Sequence, residues 1–276
     1  AFKNTEAVVG PLLKRNVEQA ARVLQSKKVP VFSPLTNRPL NYTRNLYQTL
    51  PDNKQMEVAM LQYLQKHGNE KNIVIVTDSS NFDRQRYLLN TLPQAKLLFP
   101  KEKSFLLVTD MEEVLSETQT NWVLIDSEDA VIISNVIALL IGADDTRFTS
   151  RLFALNRSEA FQTDLLSNDH LARLQFTFPT SNKPYEINGS HPFVISYQYK
   201  YEVPPSKYAI RGFDVMYDVI LRLASAESLE ETTNNLIETQ YVESKFRYAK
   251  KAGAGYQNQA FYIIQFTSDL SFKTLQ

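Results

Sequence analysis

Short apolar runs alternate with amphipathic stretches along the whole chain. Three of the apolar runs, at 7–12, 73–80 and 122–128, end on a small polar turn and lead directly into a helical pattern. Within 17–24, for example, apolar residues recur at the i, i+3, i+4, i+7 spacing of one helical face. Strands that alternate with helices in this way are typical of βαβ units with a parallel sheet. The pattern therefore predicts an α/β fold.

The same periodicities predict the individual elements. We expect strands at 29–32, 73–77, 96–99, 122–125, 151–155, 171–178, 244–248 and 260–266, and helices at 17–24, 56–63, 83–92, 111–117 and 128–141, with further helical faces between 193 and 223. The stretch 128–141 is apolar on most sides, as in a helix packed inside a protein. No low-complexity linker interrupts the pattern, and any crossing between two lobes falls near 69–72, 180–188 or 238–241.

Charge and hydropathy limit the kinds of partner that the protein can have. Thirty Lys and Arg balance thirty Asp and Glu, which argues against a protein that binds the phosphate backbone of nucleic acids. Apolar residues make up 43% of the chain, enough for a sizeable core. The longest apolar run, 130–142, is too short to cross a bilayer, so we predict no membrane span.

Several kinds of catalytic and cofactor site lack the residues that they need. The chain has no cysteine, its three histidines (67, 170 and 191) share no helical face, and its seven glycines form no phosphate-binding motif. A carboxylate pair of Asp78 and Asp126 is the remaining catalytic option, but both precede helices and are better explained as helix caps. We therefore predict a protein that is not an enzyme and has no metal or cofactor.

The order and spacing of four segments resemble the type I periplasmic-binding-protein fold. These segments are 7–12 (AVVGPL), 29–35 (VPVFSPL), 208–223 with its core RGFDV, and 255–260 (GYQNQA). The resemblance is greatest to envelope-associated, substrate-binding-like proteins of Bacteroidetes, which include ABC-transporter receptors and LysM-containing proteins. It implies two α/β lobes with mostly parallel sheets and flanking helices, joined by three crossovers and closing on a ligand between them.

The resemblance also implies domain boundaries. Lobe I maps to 1–72 and 186–236, and lobe II to 73–185 and 237–276. Members of the fold begin with two further strand–helix pairs before the segment that matches 7–12, so lobe I is expected to be incomplete. A truncated product is one explanation; a separate chain that supplies these strands and a rebuilt lobe are the other two. The implied location is the periplasm or cell envelope, with a lipid anchor on a longer precursor as an option.

In lobe I the resemblance places the ligand's carboxylate at two turns, which makes five residues candidates for binding: Lys14, Arg15, Asn16, Ser33 and Thr36. Free N–H groups at the start of a helix attract an anion, and hydroxyl groups add hydrogen bonds. Lys14 and Arg15 stand where small hydroxyl residues are usual in the family. They either grip a larger acidic group or form a solvated helix start, with Ser33 then an ordinary turn residue.

In lobe II the candidates follow three strands: Ser79, Phe82, Asp126, Ser127 and Asn156. The family commonly packs an aromatic ring at the position of Phe82 on the ligand, and uses a carboxylate near Asn156 for the ligand's amino group. Asn156 carries no charge, so Asp126 would have to substitute as the partner of a cation. The alternative is that Asp126, like Asp78, caps the following helix.

An aromatic series follows in the second half of the chain: Tyr197, Tyr199, Tyr201, Tyr208, Phe213 and Tyr217. It could form a stacking platform for sugars or bases. At helical spacing, however, such residues more often pack in a core with a polar tip at the surface, and we predict the latter.

Two functional hypotheses remain. In the first, the protein is a non-enzymatic receptor of the cell envelope that binds a small polar solute, either an amino acid or a peptide-like ligand, and that serves a membrane transporter. In the second, the chain has lost its small-ligand site and is a regulatory or interaction scaffold for peptidoglycan synthesis that binds a cell-wall enzyme. Lys14, Arg15 and Asn156 depart from the family pattern and motivate the second hypothesis.

Overall fold

A computed structural model describes residues 4–101, 105–143, 146–156, 159–162, 166–184, 191–234, 237–251 and 253–275. In chain order the elements are β1 (Val8–Val9), α1 (Lys14–Gln25), β2 (Val31–Ser33), β3 (Leu46–Gln48), α2 (Asn53–His67), β4 (Asn72–Val76), α3 (Phe82–Thr91), β5 (Lys96–Leu98), α4 (Val108–Val114), β6 (Asn121–Ile125), α5 (Ala130–Gly142), β7 (Ser150–Ala154), α6 (Asn168–Arg173), β8 (Thr177–Thr180), α7 (Pro192–Tyr201), α8 (Lys207–Ser225), α9 (Leu229–Asn234), β9 (Thr239–Gln240), β10 (Lys245–Phe246), β11 (Tyr248–Lys250), β12 (Tyr256–Asn258), β13 (Tyr262–Phe266) and β14 (Phe272–Thr274).

The chain forms two compact units: unit 1 comprises 1–55 and 181–262, and unit 2 comprises 56–180 and 263–276. Unit 1 contains a five-stranded sheet in the order β1-β2-β3-β12-β11. Its first four strands run parallel, and β11 pairs antiparallel with β12. Because β11 and β12 join this sheet beside β3, the segment 237–262 belongs to unit 1, whereas the sequence placed it in lobe II.

Successive side chains of the strands in unit 1 point to opposite faces of the sheet, so each face packs against a different helix. Val31 and Leu46 lie in one core cluster with Val17, Ala21 and Leu24, the apolar stripe of α1. The neighbouring residues Phe32, Tyr47 and Tyr256 point to the other face and pack with Val215 and Val219 of α8. The helical stripe that the sequence predicted at 17–24 is therefore confirmed, and it covers one side of the sheet.

Helix α8 buries charge and exposes apolar groups. Its inward face carries Arg211, Asp214, Asp218 and Arg222 beside its core valines. Ile220 remains 52% exposed. The predicted burial of the aromatic series is wrong for four members, Tyr199 (91% exposed), Tyr208 (63%), Tyr201 (52%) and Tyr217 (43%). On α8, which carries Tyr208 and Tyr217, hydrogen-bonded charges occupy the inward face; Tyr199 and Tyr201 lie on α7.

Unit 2 contains a seven-stranded sheet in the order β14-β13-β8-β7-β6-β4-β5. The pairs that join β5, β4, β6, β7 and β8 are all parallel, and β13 pairs antiparallel with β14. Every residue of β4 and β6 is buried, which explains why both read as continuous apolar runs.

In the described part of the chain no helix is both long and apolar enough to cross a membrane.

The predicted strand at 171–178 is wrong in its first half. Ser167 caps α6 by accepting a hydrogen bond from the Asp169 N–H, and the strand β8 starts only at Thr177. An alternation of apolar and polar residues runs into the strand, with the apolar positions at Leu174, Phe176 and Phe178. This alternation is typical of a strand, and it made the predicted strand begin too early, inside α6. Strands β3 and β12, of three residues each, have no such pattern and were not predicted. The lobe boundary expected at 185/186 lies outside the described residues.

Candidate ligand-binding site

A pocket of about 330 Å³ lies at the carboxyl edge of the sheet in unit 2. From β4 the chain crosses to β5 on one side, and from β6 it crosses to β7 on the other, so the direction of winding reverses between β4 and β6. Open α/β sheets bind ligands at such a reversal, because the loops that follow the two strands diverge there. The pocket is lined mainly by polar and charged residues: Glu57, Thr77, Asp78, Asn81, Arg84, Ile125, Asp126, Ser127, Glu128, Leu155 and Asn156.

Arg84 links two carboxylates in this pocket. Its Nε and Nη2 donate to the two oxygens of Asp126, at 2.9 and 2.5 Å, and its Nη1 donates to Glu57 Oε1 at 2.6 Å. The hydrogen bonds to Asp126, opposed in part by burial, raise the pKa of Arg84 above its usual value. Two-pronged pairing of this kind fixes the planar guanidinium group in one orientation.

The first turns after β4 are held by their own polar groups. Thr77 Oγ1 donates to Asp126 Oδ2 at 2.9 Å, and Asn81 Oδ1 accepts from the Arg84 N–H at 3.0 Å. The N–H and hydroxyl of Ser80 both donate to Asp78, which lowers the pKa of this exposed carboxyl group. The pocket therefore presents carboxylates and amides on a loop that is ordered by hydrogen bonds within itself and to Asp126 of the loop after β6.

Three of the five residues predicted for lobe II line this pocket, namely Asp126, Ser127 and Asn156. Ser79 and Phe82 do not line it, and the Phe82 ring is 72% exposed. The sequence reasoning missed Glu57 and Arg84, because both lie on helices whose facing could not be known before the sheet was assembled. One signal was available for Arg84: it is a basic residue in the first turn of a helix that follows a strand with polar residues at its end.

The capping role considered for Asp126 and Asp78 is wrong. Helix α5 is capped by Asp129, which accepts from the Val131 N–H, while Asp126 pairs with Arg84. Helix α3 is capped by Asn81 rather than by Asp78. In each case the N-cap position falls three residues later in the chain, at Asn81 for α3 and at Asp129 for α5.

The residues predicted for lobe I lie at the carboxyl edge of the sheet in unit 1. Lys14, Arg15 and Asn16 are exposed at the start of α1. Ser33 is fully buried at the end of β2, and its hydroxyl group has no hydrogen-bond partner. Thr36 is half-buried, and its carbonyl accepts from Gln48 Nε2 at 2.9 Å.

Buried charges of α8 hold the loops at this edge. Arg211 donates to the Pro34 carbonyl at 3.0 Å, to Ser244 Oγ at 2.9 Å and to Thr49 Oγ1 at 2.5 Å. Burial lowers the pKa of Arg211 to about 10. Arg211 therefore joins the loops after β2 and β3 to the segment that precedes β10.

Asp214 completes this support. Its carboxylate accepts from three successive backbone N–H groups, those of Val242, Glu243 and Ser244, at 3.1, 3.0 and 2.8 Å. A carboxylate that satisfies three buried donors is strongly localised. Among the described residues no group of three or more His, Asp or Glu side chains is placed to hold a metal ion.

No protein-family model matches the chain, and no curated protein matches it. Several solved structures match the chain in fold. An ABC-type branched-chain amino acid transporter protein from Rhodopseudomonas palustris has a TM-score of 0.58 at 12% identity, over 100% of this chain and 79% of that one. An ABC transporter substrate-binding protein from Desulfitobacterium hafniense, in complex with Leu, has a TM-score of 0.53 at 14% identity, over 98% and 80%.

Full-length LpoA from Haemophilus influenzae has a TM-score of 0.50 at 13% identity, and the chain covers 48% of it. At these identities the likeness is one of fold. The fold class predicted from the sequence, two α/β lobes of the type I periplasmic-binding-protein kind with mostly parallel sheets and flanking helices, is confirmed. The narrower resemblance to Bacteroidetes envelope proteins stays a prediction.

Proposed function

We propose that this protein is a non-enzymatic binding protein of the cell envelope, and that the pocket of unit 2 holds a small polar solute, an amino acid or a peptide-like ligand. The observation that carries the proposal is the pocket of about 330 Å³ at the winding reversal between β4 and β6. Its size suits a small solute, and its polar lining can orient one.

Groups of both signs remain available to such a ligand. A guanidinium group has five N–H donors, and three of those on Arg84 are used by Asp126 and Glu57. Asp78 and Glu128 add carboxylates, and Asn156 adds an amide. A solute with an ammonium and a carboxylate group could pair with both kinds of side chain. A membrane transporter that receives this solute is part of the proposal.

The test is a thermal-shift screen of the full chain against amino acids, short peptides, nucleosides, sugars and muropeptides. A ligand at about 100 times its Kd stabilises the folded state by roughly 2.7 kcal/mol, which raises the melting temperature measurably. The best ligand is then titrated by calorimetry against Asn156→Ala and Ser127→Ala. Ser134→Ala, on α5 but outside the pocket lining, is the matched control.

We expect a loss of about 1 kcal/mol or more in binding free energy for each pocket variant that removes a hydrogen bond, and none for Ser134→Ala. A panel without any stabilising solute would contradict the proposal. So would a ligand whose affinity is the same in both pocket variants as in the native protein.

A second candidate function is a scaffold or regulator of peptidoglycan synthesis. The observation that favours it is the set of ion pairs that already engages Arg84 with Asp126 and Glu57, since groups that satisfy one another leave less binding energy for a solute. Purified peptidoglycan and a purified cell-wall synthase are the probes. Saturable binding of either, together with silence across the solute panel, would favour the scaffold. Failure of both to bind would exclude it.

A further inference from the structure

Negative charge dominates the pocket of unit 2, although the charge of the whole chain is balanced. Among the described residues that line the pocket, four carry a carboxylate and one carries a guanidinium group: Glu57, Asp78, Asp126, Glu128 and Arg84. Three negative charges of the lining are therefore not compensated within it. Like charges that share a site disfavour one another, and a cation that enters the site relieves this repulsion.

Two of these carboxylates are available to such a cation. Arg84 is already engaged by the other two, whereas Asp78 and Glu128 have no cationic partner in the described part of the chain. The carboxylate of Asp78 accepts only from Ser80, and these hydrogen bonds lower its pKa. Asp78 therefore stays ionised at neutral pH, and both carboxylates can attract positive charge.

The helices that start at this edge of the sheet do not supply the missing positive charge. Helix α3 is capped by Asn81, which accepts from the Arg84 N–H, and α5 is capped by Asp129, which accepts from the Val131 N–H. Caps of this kind satisfy N–H donors that would otherwise attract an anion. Asp129 also adds a further carboxylate directly after Glu128. The surroundings of the pocket therefore favour a cation as well.

The carboxylates are distributed around the pocket rather than gathered at one point. In the residues that the structure describes, no three His, Asp or Glu side chains are placed to hold a metal ion. A divalent cation such as Ca²⁺ needs several oxygen ligands around a single point. An elongated solute with separate ammonium groups needs only one carboxylate for each group, and this arrangement suits the pocket.

Apolar side chains line the same pocket. Ile125 and Leu155 are both buried and form part of the lining. A methylene chain that carries an ammonium group packs along apolar surface while its charged end pairs with polar groups. The volume of about 330 Å³ lies near the lower end of the usual range for ligand pockets, roughly 300–1,000 Å³. The pocket therefore suits one small molecule rather than an extended chain.

We infer that the pocket of unit 2 selects a small solute with two ammonium groups joined by a methylene chain. The inference rests on the proposed function and names the charge class of its ligand. Asp78 and Glu128 pair with the ammonium groups, and Ile125 and Leu155 contact the methylene chain. A basic amino acid and a diamine share this chemistry. In the amino acid, the carboxylate accepts from the N–H donors of Arg84 that its ion pairs leave over.

The experiment is a calorimetric titration of the full chain at low salt with four probes: L-lysine, cadaverine, L-leucine and L-glutamate. We expect L-lysine or cadaverine to bind at one site at least tenfold more tightly than L-leucine, and L-glutamate not to bind. Tighter binding of L-lysine assigns the pocket to a basic amino acid, and tighter binding of cadaverine, which lacks the carboxylate, assigns it to a diamine. Added sodium chloride should weaken the binding of both.

Carboxylate variants test which residues carry this selectivity. Asp78→Asn combined with Glu128→Gln should weaken the binding of the dibasic probe at least tenfold and change that of L-leucine little. Glu113→Gln, exposed on α4 and outside the lining, is the matched control and should leave every affinity unchanged. Asparagine at position 78 keeps an oxygen that can accept from Ser80. Equal melting temperatures of the double variant and the native protein, without ligand, check that the fold is retained.

Failure of this inference is distinguishable from failure of the proposed function. If L-leucine bound as tightly as the dibasic probes and lost affinity in Asn156→Ala, the inference would be overturned while the solute pocket remained. Binding of a dibasic probe that is unchanged in the double variant would also overturn the inference. Silence of all four probes would overturn it too, and the proposed function would then depend on the wider panel of solutes.

Discussion

Arg84 connects two elements of unit 2 through side chains that are mostly shielded from solvent. Its own side chain is 22% exposed, that of Glu57 17% and that of Asp126 12%. Coulomb attraction at such positions is screened less than on an open surface, and each partner would be unfavourable without the others. The sequence could nominate Asp126 from its place after β6, but its partner on α3 became visible only in the folded chain.

Arg84→Met should therefore destabilise the protein by about 2 kcal/mol, since it leaves two partly buried carboxylates without their cation. Urea unfolding at neutral pH measures the effect. Arg86→Met, on the same helix and exposed, should change the free energy of unfolding by less than about 0.5 kcal/mol. Equal effects of the two substitutions would show that the ion pairs in the pocket contribute nothing specific.

Glu243 makes the stability of unit 1 depend on pH. Burial, reinforced by the neighbouring Asp214 carboxylate and opposed by Arg211, raises its pKa from 4.5 to about 7. The folded protein thus binds this proton more tightly than the unfolded chain does. The contribution to stability is greatest below the unfolded pKa and is lost as the pH rises through about 7.

Glu243→Gln, which mimics the protonated acid, should raise the free energy of unfolding at pH 8 by on the order of 2 kcal/mol and change it little at pH 4. Urea unfolding at the two pH values tests this. Glu227→Gln, at an exposed position, should show no difference between them. A Glu243→Gln effect that is the same at both pH values would contradict the raised pKa.

At the scale of elements, several helices of the βαβ units followed their sequence pattern closely, whereas α4 begins and ends three residues earlier than predicted. Helix α1 carries its apolar stripe at regular spacing, and α3 and α5 lie within two residues of their predicted bounds. Helix α8 was predicted as amphipathic, but its buried face holds two Arg and two Asp residues. Hydrogen bonds to distant loops satisfy these charges, and those loops are brought there only by the fold.

Strand β12 depends on a close approach that requires glycine. A Cβ atom at Gly255 would lie 2.1 Å from the Leu46 carbonyl oxygen and 2.6 Å from that of Thr43. Gly255→Ala should therefore push β12 away from β3 and destabilise unit 1 by about 2 kcal/mol or more. Denaturant unfolding, with hydrogen exchange of the amides in β12, provides the measurement.

Gly142→Ala is the matched control for this substitution. It lies in the last turn of α5, where an added Cβ atom meets nothing within 4 Å. Alanine is the better helix former, so this variant should be neutral or more stable by up to about 1 kcal/mol. If Gly255→Ala behaved like Gly142→Ala, the tight packing of β12 on β3 would be refuted.

At the scale of the whole molecule, the balanced charge has a consequence for solubility. The net charge is zero at pH 7 and the sequence pI is about 7.1. Without net repulsion between molecules, apolar contacts favour association, and unit 1 exposes apolar groups such as Tyr199 and Ile220. Neutral pH is thus the condition in which the chain is most prone to self-association.

Solubility at low salt should pass through a minimum near pH 7 and rise at pH 5 and pH 9. Precipitation by polyethylene glycol at the three pH values measures this directly. Added salt at pH 7 should raise solubility, because it screens attractions between patches of opposite charge. A solubility that changes in one direction across the whole range would contradict the charge argument.

The sequence by itself determined the fold class and most of the elements, because both depend on local periodicity and on the order of strands and helices. It also located the ends of β2, β4 and β6, where polar residues follow buried strands. The tertiary structure alone decided which side chains meet there. Arg84 and Glu57 are 27 residues apart, and Arg211 and Pro34 are 177 apart, so their contacts depend on sheet order and helix facing, which local periodicity does not encode.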